Sequence, residues 1–268
     1  EFEKPLGKSK KKISLIPYIN TSADKDYVSD TSNQFFESGF DSKISVGNSL
    51  NLDLSYNPDF SNVEVDDIIT NITRFELRLP EKRQFFLDNS DLFENFGNTF
   101  NEAKPFFSRR IGLANDKQGN LIQNDIIYGL RLSGKLDENW RIGLMNVQTA
   151  EDKENEIASN NNSMIAFQRK VGERSNIGAF LVNRETINNP SYLGEEDKYN
   201  RVLGFDYNHI SSDDITRGRF YMHKSYKPFD TKGNLSMQGT VTYQPKGMFI
   251  IQDFVYIDKD FKADLGFV

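Results

Sequence analysis

Five carboxylates stand close together in this chain, Asp53, Asp59, Glu64, Asp66 and Asp67, and a mixed run of cations and acids follows: Arg74, Glu76, Arg78, Glu81, Lys82, Arg83, Arg109 and Arg110. Carboxylates at this density could hydrolyse a glycosidic bond, provided two of them stand ~5 Å or ~6.5–9.5 Å apart across a sugar. Asp59, Glu64 and Asp66 are the candidates for that acid–base work. Spacing along the chain does not supply the separation, and the cations beside them favour a different use. Charges held away from bulk water are satisfied when acids meet Arg in bidentate contacts. Asp53, Arg74, Glu76, Arg78, Glu81, Lys82, Arg83, Arg109 and Arg110 then form the charge network of a buried segment. Glu81-Lys82-Arg83 and Ser108-Arg109-Arg110 are suited to clamping acidic strand residues, with Phe85, Phe86, Phe106 and Phe107 as apolar anchors.

Other chemistries find little support. Asp59, Glu64, Asp66 and Asp67 offer oxygens to Ca²⁺, but the spacing DFSNVEVDD is not that of an EF-hand loop, with Ser61 third and no Gly sixth. No phosphate-cradling Gly loop is present, and no metal or cofactor is expected. There is no Cys, and His209 and His223 are the two His residues, which argues against thiolate sites, multi-histidine metal centres and imidazole-based enzymes. A net charge of -6 argues against a nucleic-acid partner.

The elements that must position these residues are strands. Phe40, Ile44 and Val46, then Leu50, Leu52, Leu54 and Tyr56, alternate with polar residues around a turn at Gly47-Asn48-Ser49. After Gly112 the alternation resumes. Leu130 and Leu132 oppose Arg131 and Ser133; Leu203, Phe205 and Tyr207 oppose Gly204, Asp206 and Asn208; Phe220 and Met222 oppose Arg219, Tyr221 and His223. The polar stretches Ser22–Asn33 and Asn160–Asn162 read as loop. About eleven strands result, nearly all in consecutive hairpins. Downstream of Gly112, tight turns (137–139, 172–174, 245–247) tend to alternate with longer polar loops (150–162, 185–199). That is the pattern of an outer-membrane barrel, whose strands need only ~10 residues with alternate ones apolar. No apolar run is long enough for a membrane helix. Trp140, Tyr128 and Tyr243 fit aromatic girdles at the membrane interface, or ordinary packing on a soluble sheet. A soluble β-rich protein fits the average composition equally well.

The stretch 57–112 lacks any sustained period and is expected to fold inward as a plug-like segment within the barrel. Its blocks LNLDLSYNPDFSNVEVD, RFELRLPEKRQFFLDNSDLF and FFSRRIG, with the closing DKDFKADLGFV, resemble an uncharacterised family of large bacterial outer-membrane β-barrels. Members of that family usually follow a domain similar to the family 9 carbohydrate-binding modules. The resemblance runs from about residue 12 to the end. It departs at Gln84, where members commonly carry Pro, and at Asp88-Asn89, where they carry Glu-Gly.

The resemblance implies that 1–268 is the N-terminal part of one barrel domain in the bacterial outer membrane, in contact with its lipid. The carbohydrate-binding-like module would precede Glu1 and supply any glycan contact, and further strands would follow Val268. The expected architecture is an all-β, antiparallel up-and-down transmembrane barrel, incomplete at about eleven strands, with 57–112 in its lumen. The expected role is structural or transport-related, linked to glycan binding or uptake, and more readily non-enzymatic. The alternatives are a surface-associated carbohydrate-active hydrolase using paired carboxylates, and a soluble β-rich binding protein.

Overall fold

Apolar–polar alternation gives a strand two chemically different faces, and a meander of such strands sorts each kind of side chain to its own side of the sheet. The computed structural model describes residues 13–26, 31–58, 80–97, 103–229 and 232–268. Its strands are β1 (Ile13–Asp26), β2 (Thr31–Val46), β3 (Leu50–Tyr56), β4 (Leu113–Asn115), β5 (Leu121–Gln123), β6 (Ile126–Lys135), β7 (Trp140–Thr149), β8 (Asn160–Val171), β9 (Ser175–Thr186), β10 (Tyr199–Ile210), β11 (Thr216–Tyr226), β12 (Leu235–Tyr243) and β13 (Ile250–Ile257). All except β4 and β5 lie in one antiparallel 11-stranded sheet, in chain order from β1 to β13. The sheet is open, with β1 and β13 at its edges. β4 and β5 pair with each other inside the long excursion 57–125 between β3 and β6.

The strands extend further than side-chain alternation indicates. β1 and β2 run into the polar stretch expected to be loop, where Lys25 pairs with Ser32. Asn160–Asn162 belong to β8, and Asn161 exchanges side-chain amide bonds with Asn146 at 2.8 and 3.2 Å. Backbone pairing satisfies N–H and C=O groups whatever the side chain, so a ladder continues past the last apolar residue. The links at one end of the sheet are short (47–49, 136–139, 172–174, 211–215, 244–249). From β3 onward those at the other are long (57–125, 150–159, 187–198, 227–234), whereas 27–30 joins β1 and β2 there.

Registration places Ile44, Leu52, Leu132, Leu144, Ile165, Leu181, Leu203, Lys224 and Leu235 in one row across nine strands. This face is bare: Leu203 is 52% exposed, Met222 47% and Phe220 43%. The next row, on the opposite face, runs Lys43, Asp53, Arg131, Met145, Met164, Val182, Val202 and Ser225. That face is covered, and it buries Asp53, Arg131, Ser133, Asp206, His223, Ser236 and Gln238 together with an apolar patch. A water-soluble sheet places polar groups outside and apolar ones inside; here much of the arrangement is reversed.

Two pieces of chain cover the polar face. Phe86, Leu92, Phe93, Phe96, Phe106 and Ile111 come from the excursion, and Phe261, Ala263 and Leu265 from the tail after β13. All pack in one core with Met145, Val147, Met164, Phe180 and Val182 of the sheet. Glycine provides the sockets. A Cβ added at Gly129 would meet Phe85 at 2.8 Å, one at Gly143 would meet Phe93 at 2.8 Å, and one at Gly178 would meet Phe96 at 2.8 Å. Glycine within a strand sacrifices stability unless something approaches closely, and three rings of one segment do so here.

Candidate functional site

The excursion lies on the sheet through two single-turn helices, α1 (Gln84–Leu87) and α2 (Asp91–Glu94), too short to persist alone. Between them Asn89 takes a left-handed φ of 51°, which Asn tolerates better than most residues, and its amide donates to Ser133 Oγ at 3.0 Å. Charges then fix the register. Asp88 pairs with Lys43, and Asp91 accepts two bonds from Arg141 at 2.6 and 3.0 Å. Within the sheet, Arg131 holds Asp53 at 2.9 and 3.3 Å, and the Phe85 ring lies 5.4 Å from its guanidinium carbon.

The expected clamp works differently. Arg83 forms a bidentate pair with Glu81 at 2.7 and 2.8 Å, and donates to the carbonyls of Ile111 at 2.6 Å and Ser108 at 2.8 Å. Glu94 accepts from the N–H and Oγ of Ser108, and Arg110 Nε donates to the Gly266 carbonyl at 3.2 Å. These contacts tie the excursion to itself and to the tail. Among the described residues, the pairs Lys43–Asp88 and Arg141–Asp91 cross to the sheet in the opposite sense, acids on the excursion and cations on the strands. A charged triplet can close a pair two residues apart, and Glu81 and Arg83 do so.

Among the other expected residues, Phe86 and Phe106 are core, Phe85 is half-buried against it, and Phe107 lies 4.8 Å from the Phe267 ring. The Lys82 N–H reaches Glu81 Oε1 at 3.1 Å, and Arg109 is half-buried in the 3₁₀ turn Ser108–Arg110. Asp59, Glu64, Asp66, Asp67, Arg74, Glu76 and Arg78 lie outside the described residues.

Protonation tests this docking. Burial alone would raise the Glu81 carboxyl, but the hydrogen bonds and charge of Arg83 hold it below its ordinary 4.5. Hydrogen bonds from Arg141, opposed by burial and aided by its charge, hold Asp91 below 3.8. A carboxylate whose pKa falls on folding contributes fully above its unfolded value, and the contribution is lost as pH drops through the lowered one. Asp91 is more than half exposed and its pair is screened, so Glu81 dominates. Limited proteolysis of the full-length protein should show 80–97 becoming cleavable as pH falls below the ordinary carboxylate range, and E81Q, which has no charge to lose, should be more cleavable at neutral pH as well.

A second cluster was not anticipated as a unit. Asp206 accepts from His223 Nε2 at 2.7 Å, from Arg219 at 3.3 Å and from the Gly97 N–H at 3.0 Å. Arg219 also donates to the Asn95 carbonyl. His223 stacks on Tyr221, and both it and Asp206 are 1% exposed. The signal available in sequence was their common place on the polar side of adjacent strands; the register that joins them was not.

At the long-link end a cavity of about 360 Å³ is lined by Arg110, Arg184, Lys227, Asp197, Asp264 and Asn160 among others. Arg184 bonds to Asp264 at 3.1 Å, Asn160 Oδ1 at 3.1 Å and the Asp197 carbonyl at 2.8 Å, while Lys227 lies 3.2 Å from Asp264. Such a lining offers donors and acceptors in quantity. Among the described residues no group of His, Cys, Asp or Glu could hold a metal ion. No described helix is long and apolar enough to cross a membrane, which says nothing about strands.

A comparison with curated proteins finds no match. A family described as a domain of unknown function (DUF5916) matches residues 10–192, more than half of the chain, and the chain belongs to that family.

Proposed function

We propose that this sheet forms wall of a bacterial outer-membrane β-barrel, with the excursion and the tail occupying its lumen and a structural or transport role at the cell surface. The reversal of faces carries the reading: a row that is apolar on eight of nine strands faces outward while Asp53, Arg131, Asp206 and His223 are buried opposite. Lipid accounts for that arrangement. β8, β9 and β10 have 12 residues each and β11 has 11, enough to cross a bilayer at a tilt. Short links at one end and long ones at the other fit the same reading. Trp140 and Tyr243 stand on the bare face near the short links, and Tyr56, Tyr128 and Tyr226 near the long ones, as interfacial girdles would. The link to glycans rests on the hydroxyl-compatible cavity and on the family resemblance.

The full-length protein should fractionate with outer membranes and require detergent. A monodisperse protein in detergent-free buffer, absent from the membrane fraction, would refute the proposal. In planar bilayers the intact protein should conduct poorly. Large stable currents without any deletion would show that the excursion does not block the lumen.

A further inference from the structure

We infer that Arg201 and Lys224, on the bare face of β10 and β11, form a site for the phosphate of a lipid headgroup. The inference rests on the membrane reading above. Lys224 is the anomaly that prompts it. It is the one charged side chain in the row from Ile44 to Leu235, registered between Leu203 and Leu235, and it is exposed. Among the described residues it has no carboxylate partner; its ammonium lies 5.5 Å from the centre of the Tyr226 ring.

Arg201 stands one row nearer the long links, paired with Tyr226. That makes Arg201 and Lys224 diagonal neighbours, ~7–8 Å apart at their bases and within reach of one anion. The Arg201 guanidinium lies 4.4 Å over the Tyr199 ring and donates to Asn183 at 2.9 Å. Its carboxylate contact, Glu185, is 3.5 Å away and half exposed, so one acid faces two cations.

The row containing Arg201 is also where the bare face turns polar, reading Asn146, Ser163, Asn183 and Arg201 across β7–β10. A lipid phosphate sits at that depth. The Lys224 stem can lie along Leu203 and Leu235 while its ammonium reaches the same level. Two cations at hydrogen-bonding reach of a phosphate, flanked by interfacial tyrosines, form a lipid-headgroup site by charge and position. At the short-link end of this face Arg169 lies 5.2 Å over Trp140, which makes it the matched control.

The full-length protein can be reconstituted into phosphatidylcholine nanodiscs doped with bisphosphorylated or dephosphorylated lipid A, and the lipid retained after detergent exchange counted by mass spectrometry. The wild-type protein and R169Q should retain the phosphorylated lipid at least about tenfold better than R201Q/K224Q. They should not retain the dephosphorylated lipid, and excess inorganic phosphate should not displace the bound one. Equal retention by the double variant, retention without lipid phosphates, or displacement by inorganic phosphate would each overturn the site. Insertion without selective retention refutes this inference alone, whereas a wild-type protein that fails to insert refutes the membrane reading with it.

Discussion

Gly143→Val is expected to lift α2 from the sheet and destabilise the protein. A Cβ at this position would stand 2.8 Å from two atoms of the Phe93 ring and 3.1 Å from Leu92. Phe93 and Leu92 are 2% and 1% exposed, so neither has room to yield. Overpacking of this kind costs about 1–3 kcal/mol, and more where backbone must shift. Removing the ring instead, by Phe93→Ala, leaves a cavity costing about 3–5 kcal/mol. The two effects should not add: with the ring gone the valine has space, so the double variant should be more stable than the sum of the singles predicts. Hydrogen exchange of residues 80–97 in the full-length protein measures the release. Strict additivity would show that Gly143 and Phe93 are not a socket and its ring.

The second large effect belongs to Asp206. Replacing it with alanine leaves His223, Arg219 and the Gly97 N–H without the carboxylate that all three share. Breaking a buried ionic cluster from one side costs about 3–5 kcal/mol, because the remaining groups stay desolvated without a partner. Asp206→Asn keeps an acceptor and loses the charge, so it should fall between. Both should free the excursion at 95–97 and raise its proteolytic sensitivity, while Asp116→Asn, at an exposed turn, should not. Thermal unfolding that is unchanged in D206A would remove this cluster from the account of how the excursion is held.

Much of the sheet was legible in the chain itself. A period of two over Leu203–Asn208 or Phe220–His223 specifies a strand and its two faces, and hairpin spacing specifies neighbours. The folding of Phe86 and Phe106 onto the sheet was also readable, because paired Phe residues amid charges need an apolar partner. What stayed hidden depends on register. Asp206 meets His223 only because the 211–215 link sets Gly204 opposite His223. Gly129, Gly143 and Gly178 read in sequence as weak points of strands until rings are seen to fill them. The tail after β13 alternates Phe261, Ala263, Leu265 and Phe267 with Lys262, Asp264 and Gly266, which reads as one more strand of the sheet, so nothing marked it as a cover. The sense of the two described pairs that cross to the sheet also needs the fold: Glu81 and Arg83 satisfy each other, leaving Asp88 and Asp91 to reach the strands.

The bridge between Lys104 and Phe267 sets a timetable for assembly. Lys104 N–H bonds to the Phe267 carbonyl at 2.9 Å, the Phe267 N–H returns the bond at 2.8 Å, and the Phe107 N–H meets Leu265. The partners in these bonds leave a ribosome far apart in time, with eight of the sheet's eleven strands between them. Contacts of such separation form late, so Phe106 and Ile111 must wait with their cover missing while the strands zip. During that interval the nascent chain shows two apolar surfaces at once, the bare face and the unsealed core, and it is then that a holding chaperone would have most to shield.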